Sequence, residues 1–120
     1  MKILFLLNDA PYGSDKNYNA LRTAIQLQKQ DSAIRIFVYL MSDAVMCATN
    51  GQIVKQGAYN ISSMLQEIMS AGGEVKICTS CAESRGLKEP VKGAVLATLT
   101  DLTKDIVECE KVLTFWTCIP

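Results

Sequence analysis

Two apolar runs, Lys2 to Leu7 and Ile34 to Leu40, are too continuous for strands that keep one face in water. A half-wet strand alternates apolar with polar residues. One that stays apolar at successive positions needs cover on both faces, which is the setting of a parallel sheet. Joining parallel neighbours requires a crossover, and the chain supplies a helix there. Ser14 is expected as its N-cap, and Tyr18, Leu21, Ala24, Ile25 and Gln28 mark one face up to about Gln30. Strand, helix, strand is the opening unit.

The alternation continues. Ile61, Met64, Leu65, Ile68 and Met69 follow the i, i+3, i+4, i+7, i+8 spacing of a helix over about Tyr59 to Ser70, ended by Gly72-Gly73. Glu74 to Ile77, Ala94 to Thr98 and Lys111 to Phe115 read as further strands. Leu99, Leu102, Ile106 and Cys109 share one side of a helix over about Thr100 to Glu108. Right-handed crossovers between such elements predict an α/β fold, a three-layer α/β/α sandwich around a mostly parallel sheet. At 120 residues with 49% hydrophobic content, one domain over residues 1–120 can fold without a disulfide or structural metal.

Charge and motif spacing exclude several function classes. Twelve basic and twelve acidic residues give no net cationic character, so neither nucleic acid nor an anionic membrane is an expected partner. The apolar start ends at Asn8-Asp9 without a small-residue cleavage site and reads as a strand, not a signal peptide. Five cysteines without regular spacing do not form a secreted disulfide framework, and the expected location is a reducing cytoplasm. No cofactor is expected. The Asn8 to Asp15 loop has only Gly13 and lacks the glycine spacing of nucleotide motifs. Without histidine or a second CxxC, no zinc site is expected either. Met41, Met46, Met64 and Met69 fit adaptable core or interface packing.

In parallel α/β sheets ligands bind beyond the carboxyl ends of the strands. Those ends carry Asn8 to Gly13, Met41 to Ala44 and Cys78-Thr79-Ser80-Cys81. Cys78 stands between a strand end and the segment Ala82 to Arg85, which stops at Gly86. Unpartnered backbone N–H groups at a helix start favour thiolate. With an ordinary pKa of about 8.5, only about 3% of a thiol is ionised at pH 7, whereas a value of roughly 6.5 makes most of it reactive. Arg85 would strengthen that effect, and Asp9 and Asp43 would oppose it. The carboxylates also fit as caps for nearby backbone N–H groups. Tyr12 and Gly13 would shape the rim of a crevice. Cys81 reads equally as a resolving thiol or a packing residue. Cys47 and Cys109 read as core.

Taken in order, Asn8-Asp9-Ala10-Pro11-Tyr12-Gly13-Ser14, Met41-Ser42-Asp43-Ala44-Val45, Gly57-Ala58-Tyr59-Asn60 and Cys78-Thr79-Ser80-Cys81-Ala82-Glu83-Ser84-Arg85-Gly86 resemble the DsrE-like family over nearly the whole chain. The resemblance implies a five-stranded sheet of order 4-3-2-1-5. It also implies homotrimers or hexamers, or hetero-oligomers in the sulfur-relay branches. Cys78 matches the position of the persulfide-bearing cysteine of relay members. Cys81 departs from those that carry a small apolar residue there, while many stand-alone members look like this chain. A second thiol can attack a persulfide, releasing sulfide and leaving a Cys78–Cys81 disulfide. The segment Trp116 to Pro120, with Cys118, lies beyond the last strand of the resemblance. The implied function is that of a small sulfur carrier or sulfurtransferase-like protein working between donor and acceptor proteins. A CxxC thiol-disulfide oxidoreductase and a non-catalytic homo-oligomer are the alternatives.

Overall fold

The computed structural model describes residues 1–115, so Cys118 and its neighbours lie outside the described residues. In chain order the elements are β1 (Lys2–Leu7), α1 (Lys16–Gln30), β2 (Arg35–Leu40), a 3-10 helix (Ser42–Ala48), α2 (Ile61–Ser70), β3 (Glu74–Cys78), α3 (Thr79–Ser84), β4 (Val95–Ala97), α4 (Leu99–Glu108) and β5 (Lys111–Thr114). The strands form one parallel sheet in the order β4-β3-β2-β1-β5, as the resemblance implied. The two apolar runs are its central strands, paired from Lys2–Arg35 to Leu7–Leu40.

Because side chains alternate along a strand, each central strand feeds two cores. Ile3, Phe5, Leu7, Ile36, Val38, Leu40, Val75 and Ile77 pack on one face, against Ala20, Leu21 and Ala24 of α1 and Ile61, Leu65 and Ile68 of α2. Leu4, Phe37, Tyr39 and Ala97 form the smaller core on the other face, with Leu102 of α4 and with Cys109. One face therefore has two long helices, and the other has α4. Lys76 of β3 supplements that thinner layer with an ion pair to Asp105 of α4, 2.8 Å long.

Local chemistry sets the boundaries, and three differ from the sequence expectation. First, α1 starts at Lys16 with Asp15, not Ser14, at its N-cap. Gly13, at φ +103°, turns the chain just before the helix, and the Asp15 carboxylate is taken by the Tyr59 hydroxyl at 3.0 Å. Ser14 Oγ accepts only a long 3.5 Å bond from the Lys16 N–H. Second, α2 starts at Ile61, because the Asn60 side chain accepts from the Ser63 N–H at 3.1 Å and so caps the helix. Tyr59 is left outside, stacked between Tyr12 and Tyr18. Third, α3 begins at Thr79, immediately after Cys78.

The end of α2 follows the expectation. Gly72 at φ +94° and Gly73 close a Schellman motif, with Gly72 N–H donating to Met69 O and Gly73 N–H to Ile68 O. Ser42 holds φ 54°, a left-handed conformation costing about 1–2 kcal/mol in a non-glycine residue. Met41 packs on the α4 side, while Ala44, Val45, Cys47 and Ala48 pack on the opposite side. Ser42 is the point at which the chain changes face.

Candidate functional site

Cys78 is the last residue of β3 and pairs with Ala97 of β4. As the residue preceding α3 it also occupies that helix's N-cap position. Its side chain is half-buried at the end of the sheet, packed against both the α4-side core and the larger one, and its sulfur lies 3.4 Å from Ser80 Oγ. Partial burial pushes the Cys78 thiol up. Hydrogen bonds from the Ser80 hydroxyl, the Cys81 backbone and side chain and the Ser80 backbone outweigh it, holding the group below the ordinary thiol value. The chain enters α3 directly after the sulfur, so these donors come from the next three residues.

The sulfur opens on a depression of about 260 Å³ lined by Cys78, Thr79, Ser80, Glu83, Ala97, Thr98 and Leu99. Two side-chain hydroxyls fasten its far wall. Thr79 Oγ1 donates to Ala97 O and Tyr39 Oη to Thr98 O, each at 2.8 Å. Thr98 also caps α4: Asp101 N–H donates to Thr98 Oγ1, and Thr98 N–H donates to the Asp101 carboxylate at 2.8 Å. The start of α4 is thereby fixed beside the sulfur.

The first loop does not form this wall. Asn8, Asp9, Tyr12 and Gly13 are absent from the lining of the depression, contrary to the expected convergence of three loops. Their bonds tie them elsewhere. Asp9 pairs with Lys16 at 2.8 Å, and Asn17 donates to the Asp9 and Ala10 carbonyls. Tyr12 donates to Gln52 Oε1 at 2.6 Å and accepts from Ile61 N–H. Asn8 and Gly13 are exposed. Tertiary pairing thus anchors the loop to α1, α2 and the segment between β2 and α2.

Asp43 and Arg85 meet each other, through Arg85 Nε and Asp43 Oδ1 at 2.9 Å. Arg85 also donates to Cys81 O and Ser84 Oγ. Its guanidinium therefore closes α3 onto the 3-10 helix, and the opposing influences of Arg85 and Asp43 expected at Cys78 are spent on one another. Cys81 is half-buried and packs against the α1-side core. Cys47 is sealed at 0% exposure and accepts from Asn17 Nδ2 at 3.3 Å; burial pushes its thiol up to about 12. Cys109 is buried and also pushed up. These two have the packing roles read from sequence. All four described cysteines are free thiols.

Sequence reasoning missed Tyr39, Glu83, Thr98 and Leu99. The Thr98-Leu99-Thr100-Asp101 pattern was a legible capping signal. Tyr39 was hidden inside an apolar run, and only the register of β2 against β3 brings it to the sulfur's side of the sheet.

A model of the DsrE/DsrF-like family matches residues 1–115. The chain belongs to this family. It is 39% identical to the protein YchN of Escherichia coli K12 over 116 residues, covering 95% of this chain and 98% of YchN. It is 33% identical to the uncharacterized protein MJ0989 of Methanocaldococcus jannaschii, covering 96% of this chain and 100% of that one. The crystal structure of E. coli YchN superimposes with a TM-score of 0.85 at 37% identity, over 95% of this chain and 98% of YchN. The model match shows the family, and the superposition on YchN shows the fold. No helix among the described residues of this DsrE/DsrF-like protein is long and apolar enough to cross a membrane.

Proposed function

We propose that this DsrE/DsrF-like protein carries sulfane sulfur on Cys78. The observation that supports this most is a thiol held below its ordinary pKa by the hydrogen bonds that follow it, at the carboxyl edge of a parallel sheet and open to a depression. In loading, the Cys78 thiolate attacks the outer sulfur of a donor persulfide. The donor's S–S bond breaks, the donor departs as a thiolate, and Cys78 becomes a persulfide. In delivery, an acceptor thiolate attacks the outer sulfur and Cys78 leaves as thiolate. Each step exchanges one S–S bond for another, so no external oxidant is needed.

Cys81 offers a second exit. Its thiolate can attack the inner sulfur, forming a Cys78–Cys81 disulfide and expelling hydrosulfide, after which a reductant must restore the pair. Donor and acceptor proteins are the proposed partners, and a reducing cytoplasm is the compartment that keeps both thiols ready. A homo-oligomer, trimer or hexamer, is supported by the apolar residues left exposed on the thinly covered α4 side, including Val95, Leu99 and Val107.

Site-resolved mass spectrometry after exposure to a low-molecular-weight persulfide tests the reading. One added sulfur on Cys78 is expected, lost in Cys78→Ser and retained in Cys81→Ser. A protein that takes up no sulfur yet cycles dithiol and disulfide, with turnover lost in either variant, would instead be a thiol-disulfide oxidoreductase.

A further inference from the structure

We propose that Tyr39 is a positioning residue for Cys78: from beneath the depression its hydroxyl holds the Thr98 carbonyl and stands ready as a hydrogen-bond donor to the sulfur when that sulfur is anionic. This deepens the reading of Cys78 as the reactive thiol.

Packing does not explain the buried hydroxyl of Tyr39. Tyr39 is 1% exposed, among Leu4, Phe37 and Leu102, and Cys78 packs against this same cluster. Phenylalanine would fill that space without the desolvation of a hydroxyl. The hydroxyl's partner, Thr98 O, is 2.8 Å away, yet Thr98 O already accepts the Leu102 N–H that opens α4, at 3.2 Å. The helix is satisfied without Tyr39. The phenolic proton can therefore turn from Thr98 to a charged sulfur and leave no buried carbonyl unpaired. Tyr39 pairs with Lys76 across β2 and β3, so Cys78, two residues on, is its diagonal neighbour on the same face, and Cys78 borders the depression together with Thr98.

The electrostatics agree. Burial first, then negative charge at Cys78, Asp101 and Cys81, push Tyr39 up to about 12, so it remains protonated and acts as a donor and never as a base near neutral pH. The other ionisable groups near the sulfur are Cys81 and Glu83 from α3, Asp101 at the start of α4, and Lys76 on β3, whose ammonium is held by Asp105.

The test is the pH profile of Cys78 alkylation by iodoacetamide in the full chain, resolved from Cys81 by fragment mass spectrometry. Tyr39→Phe keeps the ring and removes the donor. Its profile should move upward, with the rate at pH 7 falling about threefold to tenfold, as a shift of half to one pKa unit gives. Incorporating a fluorinated tyrosine at position 39 keeps the hydroxyl and strengthens it as a donor, and should move the profile downward. If both profiles coincide with wild type while only the thermal midpoint of Tyr39→Phe drops, Tyr39 merely holds the turn and the proposal is overturned. Should Tyr39→Phe not fold, the fluorinated protein decides alone. Profiles that shift as expected in a protein that takes up no sulfur would keep Tyr39 in its role and remove the sulfur-carrier reading.

Discussion

Replacing Asp105 with alanine strips a half-buried ammonium of its counter-ion, and the structure sets the size of the effect. Lys76 Nζ donates to both carboxylate oxygens of Asp105, at 2.9 and 2.8 Å. Asp105 is 5% exposed. Breaking a fully buried pair by removing one partner destabilises by about 3–5 kcal/mol, because a charge is stranded. The Lys76 side chain keeps 21% of its exposure, so its flexible end can reach water and the loss should fall nearer about 2–3 kcal/mol.

The pH dependence carries a sign. Burial pushes Lys76 down, but the hydrogen bond and charge of Asp105 outweigh it and the net shift is upward. A raised lysine adds stability that is complete below its unfolded value of about 10.4 and disappears as pH rises through the folded one. The gap between wild type and Asp105→Ala in urea denaturation should therefore hold steady from pH 6 to about 9 and close above about 10.4. The double replacement Lys76→Met with Asp105→Leu should recover most of the loss, since an apolar pair has no charge to desolvate. A loss under about 0.5 kcal/mol, or a gap that widens in alkali, would refute the reasoning. Because α4 begins at the wall of the depression, hydrogen exchange at Leu99 and Thr100 should accelerate in the single variant.

Two further outcomes are expected. In Gly73→Ala the new Cβ would lie 2.5 Å from Ile68 Cγ2 and 2.9 Å from Ile68 O. A backbone oxygen at a helix end cannot step aside, so denaturant titration should show a loss of about 1–3 kcal/mol. Cys47, raised to about 12, keeps its proton when folded and releases it when unfolded. Stability should then fall with pH above the ordinary thiol range by about 1.4 kcal/mol per unit. Cys109, also pushed up, adds a slope of the same sign, so Cys47→Ala should remove only the Cys47 share between about pH 9 and 10, before Tyr39 contributes; urea midpoints across this window that keep the full wild-type slope would contradict the assignment.

The central strands and three longer helices were legible because each has a periodicity of its own: unbroken apolar runs for β1 and β2, and a 3.6-residue stripe for α1, α2 and α4. The strand order came from the family resemblance and not from periodicity, since nothing in an apolar run names its neighbour. Cap chemistry was partly legible. Ser14 had the composition of an N-cap, but a tyrosine from the segment before α2 occupies the Asp15 carboxylate and the helix starts later. The destination of the first loop was hidden for the same reason, because Tyr12 is held by Gln52 and Ile61, residues far along the chain.

The contrast between Cys47 and Cys78 shows which part of a reactive site lies within reach of sequence. Both thiols lie at or shortly after the carboxyl end of a strand, and both have small residues nearby. Cys47 faces inward from the 3-10 helix, where Asn17 seals it into the larger core. Cys78 is the final residue of its strand, so its hydrogen-bond donors come from the next three positions and could be anticipated locally. Its wall could not. Ala97, Thr98 and Leu99 reach the sulfur because Cys78 pairs with Ala97 across parallel strands, and Tyr39 reaches the same wall because β2 lies on the other side of β3. The nucleophile and the donors from Ser80 and Cys81 are thus local in the chain, while the depression beside the sulfur, and the Tyr39 hydroxyl behind its wall, depend on strand register. Altering β4 or the turn into α4 should therefore reshape the depression while leaving the Ser80 and Cys81 hydrogen bonds to the Cys78 thiol in place, and the pH profile of Cys78 alkylation should keep most of its displacement below the ordinary thiol range.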